Sequence, residues 1–289
     1  MSDKPNMPEA GFSALPDHHV VALTGRDALA FAQAQVMNDV SALADGQWQW
    51  NGWLTPKGRL IALFALLRVD AETLWLLVPD ADHAALAAAL QRFVFRSKVA
   101  IQPHDDLQVS GAFQAPSAAA GARASGGADA GFELDVGGAD SPRTLRITPH
   151  GNAQADAEAV ARWRAHDLRH GLPRLAASAV EQWTPQQLSL QRLQAYSVKK
   201  GCYPGQEIVA RTHFLGQAKR GLALFETETL AGDGDVLTLD DAPFGTLAST
   251  ANGTPALALA VVPLEHADGA FQIGEQTAKQ VPLLDGLAR

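Results

Sequence analysis

The sequence predicts an α+β protein of sheet-and-helix modules followed by a small β-barrel, and three patterns lead there. Residues 60–69 and 73–78 are rich in branched and aliphatic side chains and flank Asp70-Ala71-Glu72, which reads as a hairpin. A helix with Leu86, Leu90 and Phe93 at i, i+4 and i+7 follows, and residues 99–101 return as a strand. This β-β-α-β order suits helices on one face of a mostly antiparallel sheet, as in ferredoxin-like modules. After residue 220, five short apolar runs (221–225, 235–239, 245–250, 256–262 and 271–273) are separated by Gly, Asp and Pro with no helical period between them. Short, evenly spaced strands of this kind predict a barrel.

The remaining elements follow from local signals. Residues 20–23 form a short strand ending at Thr24, whose hydroxyl is expected to cap a helix that runs to about Met37, with Asp27 in its first turn. Asn38-Asp39-Val40 is a turn. Asp80 is expected to cap the helix carrying Leu86 and Leu90. A strand over 107–113 is followed by 115–131, almost entirely Ala, Gly and Ser, which predicts a mobile loop because so little apolar surface offsets its ordering entropy. Residues 132–136 and 144–148 read as a hairpin. Residues 153–170 read as a helix stopped by Gly171 and Pro173, with Trp163, His166 and His170 on one face.

Composition excludes several classes of function. The 289 residues are 47% hydrophobic and 19% charged, ordinary for a soluble globular chain with a sizeable core. A net charge of −8 argues against a broad basic surface and hence against direct nucleic-acid binding. Residues 1–16 are polar and contain proline, unlike a signal peptide, and no apolar run reaches membrane-spanning length. One cysteine permits neither an internal disulfide nor a multi-cysteine metal site, which fits a cytoplasmic location. The nine histidines have no metal-ligand spacing, and His166 and His170 read as a solvated face. Nucleotide-binding glycine loops are missing.

The chemistry concentrates in residues 199–207, Lys-Lys-Gly-Cys-Tyr-Pro-Gly-Gln-Glu. Gly201 and Gly205 allow close approach of a ligand, and the proline stiffens the loop between them. Gly205, Gln206 and Glu207 open a short helix, running to about Thr212, whose N-terminal amides favour anions and thiolates. Lys199 and Lys200 add positive charge, and Tyr203 is placed to pack under the loop or donate a hydrogen bond. Cys202 is thereby the candidate nucleophile. A small buried hydrophobe is the alternative for a lone cysteine.

Lys-Gly-Cys-Tyr-x-Gly-Gln-Glu, seven fixed residues in eight positions, resembles the signature of the YgfZ family, folate-binding proteins tied to iron-sulfur cluster maintenance and tRNA modification. They are relatives of the glycine-cleavage T-protein, an aminomethyltransferase. Leu23-Thr24-Gly25-Arg26-Asp27, Asn38-Asp39-Val40, Thr55-Pro56-Lys57-Gly58-Arg59, Ser97-Lys98-Val99, Pro185-Gln186 and residues 216–220 extend the resemblance over most of the chain. It implies two ferredoxin-like modules around a central channel, the first from 1–50 and 106–220, the second inserted at 51–105, and the barrel at 221–289. It also implies tetrahydrofolate or a derivative as cofactor, with Trp163 as the pterin wall, Lys199, Lys200 and Arg211 toward the glutamyl tail, and no metal held by this chain alone. A core role for Trp163 and a surface role for the cations stay open.

Two departures bear on activity. A glutamate that T-proteins carry two residues before the helix-ending glycine is Arg169 here, and a second pocket tryptophan of the family falls at about His18. The aspartate pair that serves aminomethyl transfer is replaced by Ile61-Ala62. The expected function is therefore a folate-binding accessory protein acting on iron-sulfur assembly proteins or client enzymes through Cys202, with a T-protein-like one-carbon enzyme as the alternative.

Overall fold

The computed structural model describes residues 11–138, 141–175, 177–216, 218–229, 235–266 and 269–289. Part of the polar start of the chain (residues 1–10) and Gln217 lie outside them. Among the described residues no helix is long and apolar enough to cross a membrane.

In chain order, β1 (Ser13–Ala14), β2 (His18–Thr24), α1 (Ala28–Gln35), β3 (Trp48–Leu54), β4 (Leu60–Arg68), β5 (Thr73–Pro79), α2 (His83–Gln91) and β6 (Ala100–Pro103) come first. Five of these strands form one antiparallel sheet in the order β3-β4-β5-β2-β6. Then follow β7 (Leu107–Ala112), β8 (Ser125–Gly127), β9 (Gly131–Asp135), β10 (Thr144–Pro149), α3 (Ala157–Arg169) and α4 (Gln206–Phe214). A second antiparallel sheet runs β1-β7-β10-β9-β8. The chain closes with β11 (Arg220–Thr227), β12 (Val236–Leu239), β13 (Ala242–Ala251), β14 (Ala256–Pro263), β15 (Phe271–Ile273) and β16 (Gln276–Val281), a closed six-stranded barrel. The α+β architecture with its terminal barrel is as the sequence predicts. Of the barrel strands, β16 alone is not among those the sequence predicts, because Gln276, Lys279 and Gln280 hide its strand period.

Several local expectations are corrected. The position between residues 50 and 51, where the resemblance divides two modules, falls inside β3, and β2 pairs with β5 and β6; residues 18–103 therefore share one sheet. The first turn of α2 is capped by Asp82, which accepts from the Ala85 amide at 2.9 Å. Asp80 instead has a left-handed backbone, with φ at 62°, and turns its carboxylate toward arginines. Asp27, not Thr24, occupies the N-cap of α1, and its carboxylate accepts from the Lys98 amide rather than from its own helix. The Ala/Gly/Ser stretch 115–131 is built into the second sheet through β8. The Glu133 carboxylate accepts from the amides of Ser117, Ala118 and Ala119, while Trp48 donates to the carbonyls of Ala122 and Gly121. A carboxylate acceptor and two N–H donors elsewhere thus supply the order that the stretch lacks in apolar surface.

One core cluster draws on both sheets and the barrel. Beside it lies a polar knot. Arg174, only 1% exposed, donates to Asp80 at 2.6 Å, to Asp167 at 2.9 Å and to Asp17 at 2.5 Å, while Arg143 meets the other Asp167 oxygen at 2.8 Å. The Arg174 amide donates to the Ser249 hydroxyl on β13. Asp17 and Asp80 flank strands of the first sheet, Arg143 leads into the second, and Ser249 belongs to the barrel, so Arg174 joins all three through its guanidinium, the shared Asp167 and its backbone amide. Burial opposes the Arg174 charge, yet the three carboxylates outweigh it and raise the Arg174 pKa further. Burial likewise opposes the Asp167 carboxylate, and Arg143 and Arg174 outweigh it and hold its pKa below the usual range.

A tail completes the fold. Leu284 donates its amide to the Arg169 carbonyl, His170 bonds the Asp285 carbonyl, Trp50 donates to the Leu287 carbonyl, and Arg289 donates to the carbonyls of Asp135 and Gly137.

Removing one partner of a buried ionic network leaves the others uncompensated. Arg174→Met is expected to lower the unfolding free energy by about 3–5 kcal/mol, read from urea denaturation at neutral pH. A lowered carboxylate pKa contributes stability above its unfolded value and loses it as pH falls through the folded one. The difference between variant and parent should therefore shrink below the ordinary aspartate range.

Candidate functional site at the signature loop

The loop ahead of α4 is pinned on both flanks. Ser197 donates its amide to the Met37 carbonyl, and its hydroxyl oxygen accepts from the amides of Lys199 and Lys200, both at 3.2 Å. Tyr203 is buried and donates its hydroxyl to the Ser197 carbonyl at 3.2 Å, closing the base of the loop. Gln206 donates its side-chain amide to the Lys200 carbonyl at 3.0 Å. Gly205 has φ at 79°, and a Cβ there would stand 2.6 Å from the Thr55 carbonyl oxygen; Gly58, opposite it with φ at 69°, would meet Ile208 at 2.8 Å. Glycine faces glycine, so the loop seats on the Thr55–Arg59 turn at a spacing no other residue allows.

Lys200 differs from its expected role. It is 6% exposed and donates to the carbonyls of Val36, at 2.5 Å, and Asn38, at 3.0 Å, with its ammonium 4.9 Å from the Tyr203 ring centre. Burial lowers its pKa to about 8, against a smaller opposing pull from Asp39. Its charge is committed beneath the loop, which removes it as a surface cation for a glutamyl tail. Tyr203 shifts the other way: burial raises its pKa, with Tyr196 adding to the rise. Cys202 itself is exposed, a Cβ on Gly201 would meet open space, and Glu207 and Arg211 lie exposed on α4.

Lys199 borders a cavity of about 480 Å³ shared with Asn38, Asp39, Gln49, Gln194 and Tyr196. The Asp39 carboxylate accepts from the Ser41 hydroxyl at 2.6 Å and from Gln33 at 3.0 Å, bonds that hold it below the usual carboxylate range. Gln49 is 8% exposed and its Nε2 has no hydrogen-bond partner. A buried donor left unpaired costs roughly 1–3 kcal/mol.

Trp163 lies elsewhere, 3% exposed on α3. A Cβ on Gly111 would stand 2.6 Å from its ring, and the Arg143 guanidinium lies 4.2 Å above it. Arg169, at the expected glutamate position, pairs with Glu226 on β11 at 3.1 Å. His18 is buried against Asp17 at 2.8 Å, and burial together with Arg174 lowers its pKa. A pterin therefore has no open face at Trp163. His166 and His170, expected on a solvated face, stack 4.3 Å apart around the Ser141 hydroxyl, and burial with Arg143 lowers the His166 pKa to about 3. Among the described residues no group of three or more His, Cys, Asp or Glu is arranged to hold a metal ion.

No family model matches the chain. A tRNA-modifying protein YgfZ of Cronobacter sakazakii is 32% identical over 229 residues, spanning 72% of this chain and 69% of that protein. The chain belongs to the YgfZ family. A YgfZ of Vibrio vulnificus is 29% identical over 228 residues, 75% of this chain and 70% of its own. An uncharacterized Haemophilus influenzae protein is 30% identical over 222 residues, 75% of this chain and 74% of its own. Among solved structures, the glycine cleavage system aminomethyltransferase T of Bartonella henselae matches with a TM-score of 0.71 at 16% identity, covering 94% of this chain and 84% of that one. That likeness is one of fold. In this YgfZ-family chain the Ile61 and Ala62 positions lie on β4 and face an apolar cavity.

The Lys200 contact makes a sign-specific prediction. With the folded pKa near 8 and the unfolded one near 10.5, the unfolded state binds more protons between those values, so stability rises with pH across that window. Lys200→Met should abolish this rise in denaturation curves collected from pH 7.5 to 10.5.

Proposed function

We propose that the chain supports tRNA modification indirectly, as an accessory protein for iron-sulfur cluster assembly or repair. Its working group is the Cys202 thiol and its ligand is a reduced folate. The observation that carries this reading is the contrast within the loop: Lys200, Tyr203 and Gln206 are bonded beneath it, whereas Cys202 is exposed next to a Gly201 whose Cβ position is open space. A rigid platform with one exposed soft donor suits delivery to a partner. Iron-sulfur clusters usually take four cysteine ligands, so iron-sulfur assembly proteins or client enzymes would supply the rest.

The polar cavity beside the loop fits a folate better than the surroundings of Trp163. Asp39 offers an anionic acceptor for a pterin's N–H groups, Gln49 a free donor for its carbonyl, Tyr196 an aromatic wall, and Lys199 a cation for the glutamyl tail. Bound there, a reduced folate supplies an oxidisable, electron-rich ring. This chain's own residues orient it and keep the thiol presented. Aminomethyl transfer is disfavoured, because Ile61 and Ala62 cannot stabilise charge on a reacting amine.

Tetrahydrofolate at a hundredfold its dissociation constant should add about 2.7 kcal/mol of stability, visible as a thermal shift. Gln49→Leu should cut that shift, while Trp163→Phe should leave it. A shift abolished by Trp163→Phe and indifferent to Gln49→Leu would relocate the ligand.

Cys202→Ser is expected to change unfolding free energy by less than about 0.5 kcal/mol, as at other surface sites. In a deletion strain it should fail to restore cluster enzymes and thiolated tRNA bases. Full restoration would show the thiol to be dispensable.

A further inference from the structure

The turn after α2 presents a surface that the signature loop and the cavity beside it do not use. Phe93, which the sequence spacing places on the buried stripe of the helix, lies beyond its last residue, Gln91, and is 51% exposed, while Phe95 is 85% exposed. Arg92, Arg96 and Lys98 are exposed between and beside these rings. The backbone that carries them is fixed. The amides of Phe93 and Val94 donate to the carbonyls of Leu90 and Gln91, and the Lys98 amide donates to the Asp27 carboxylate at 2.6 Å. Gly25, with φ at 127°, lies so close to the Lys98 carbonyl that a Cβ has no room, and this contact brings the exposed Arg26 to the same edge. Arg26 meets Asp27 at 3.6 Å; among the described residues Arg92, Arg96 and Lys98 form no ion pair. The Arg96 guanidinium lies 5.1 Å from the centre of the Phe95 ring. Cations and exposed rings thus gather on one edge of a chain whose net charge is −8.

We propose that this edge docks an acidic segment of another protein, one whose carboxylates are interspersed with apolar side chains. Charge complementarity sets the sign of the partner, and exposed aromatic rings beside arginines are the composition of a protein interface. The size of the edge selects among anions. A nucleic acid or an anionic membrane carries charge without interruption and would run past the edge onto a surface that is acidic overall, whereas a short segment ends where the cations end and is screened from the rest within about 8 Å. The rings agree: Arg96 stands over Phe95, and Trp53 lies 5.7 Å from Phe93 at 87°, so neither phenylalanine is a bare platform for stacked bases. The turn at Lys98 rests on the start of α1 and Lys200 on its end, roughly 12 Å apart along eight residues. Docking here is therefore separate from Cys202 and from folate.

The probe is a short fluorescein-labelled peptide in which pairs of glutamates alternate with leucine, read by anisotropy against the full-length protein at low and physiological ionic strength. Its counterparts with glutamine for glutamate and serine for leucine, a single-stranded RNA of equal length and phosphatidylglycerol vesicles are run beside it. The Glu-Leu peptide should bind saturably and about tenfold more tightly than its glutamine counterpart, the ratio expected of a few exposed ion pairs acting together. Phe95→Ser should weaken it about fivefold and leave its salt dependence as steep as before, because the ring carries no charge. Arg92→Glu combined with Arg96→Glu should abolish its binding and admit a Lys-Leu peptide that the parent protein ignores. All of these side chains are exposed, so the variants keep the fold, which far-UV circular dichroism checks. Cys202→Ser should bind as the parent does, which keeps this surface distinct from the thiol. The proposal is overturned by a lack of saturable binding, by equal affinity for the glutamine or serine counterpart, by indifference to Phe95→Ser, or by tighter binding of the RNA or the vesicles through the same residues.

Discussion

Arg174 holds the molecule to one arrangement. An arginine this deeply buried is tolerable only with carboxylates on most of its donors, and those carboxylates come from the adjoining ends of β2 and β5 in the first sheet and from α3. Arg143 then takes the remaining Asp167 oxygen and carries the network to the second sheet. The hydrophobic core is non-directional and would accept small rotations between layers. The ionic knot would not, because each guanidinium nitrogen of Arg174 is matched to a particular carboxylate oxygen. Trp163 is fixed as a consequence, held between Arg143 and Gly111.

The thiol loop follows the same logic on a smaller scale. Gly58 and Gly205 let two turns touch, and the Lys200 ammonium fastens the loop to the end of α1 through backbone carbonyls. Lysine is costly to bury, and here that cost is spent on position rather than on a ligand. Cys202 is left as the exposed end of a structure whose other parts face inward. The polar cavity beside it and the apolar cavity on β4 offer different chemistry, and they meet opposite ends of β3, at Gln49 and at Trp53.

Much of this was legible in the sequence where signals are local. The hairpin over β4 and β5, the apolar stripe of α2 and the turn-punctuated barrel strands all follow from periodicity. The signature loop stood out because a lone cysteine between glycines and lysines is rare in composition. What could not be read depends on contacts between distant residues. Nothing in Pro173-Arg174-Leu175 announces that this arginine meets Asp17, 157 positions away. Residues 115–131 looked unstructured because their order comes from Glu133 and Trp48. Trp163 matched a position rather than an environment, and the environment is set by Gly111 and Arg143. Gln49 and Trp53 carried no signal, since an unpaired donor exists only once its neighbours are placed.

The tail carries a consequence for how the chain is made. Trp50, His170 and Asp135 are synthesised early, yet their partners include Leu287, Asp285 and Arg289, the last of these 154 positions beyond Asp135. On the ribosome, the sheets can collapse as they emerge, but an indole N–H and an imidazole must wait, unmatched, for residues still being translated. The inner ends of the sheets around Trp50 and His170 thereby complete their hydrogen bonding only after residues 284–289 have been translated.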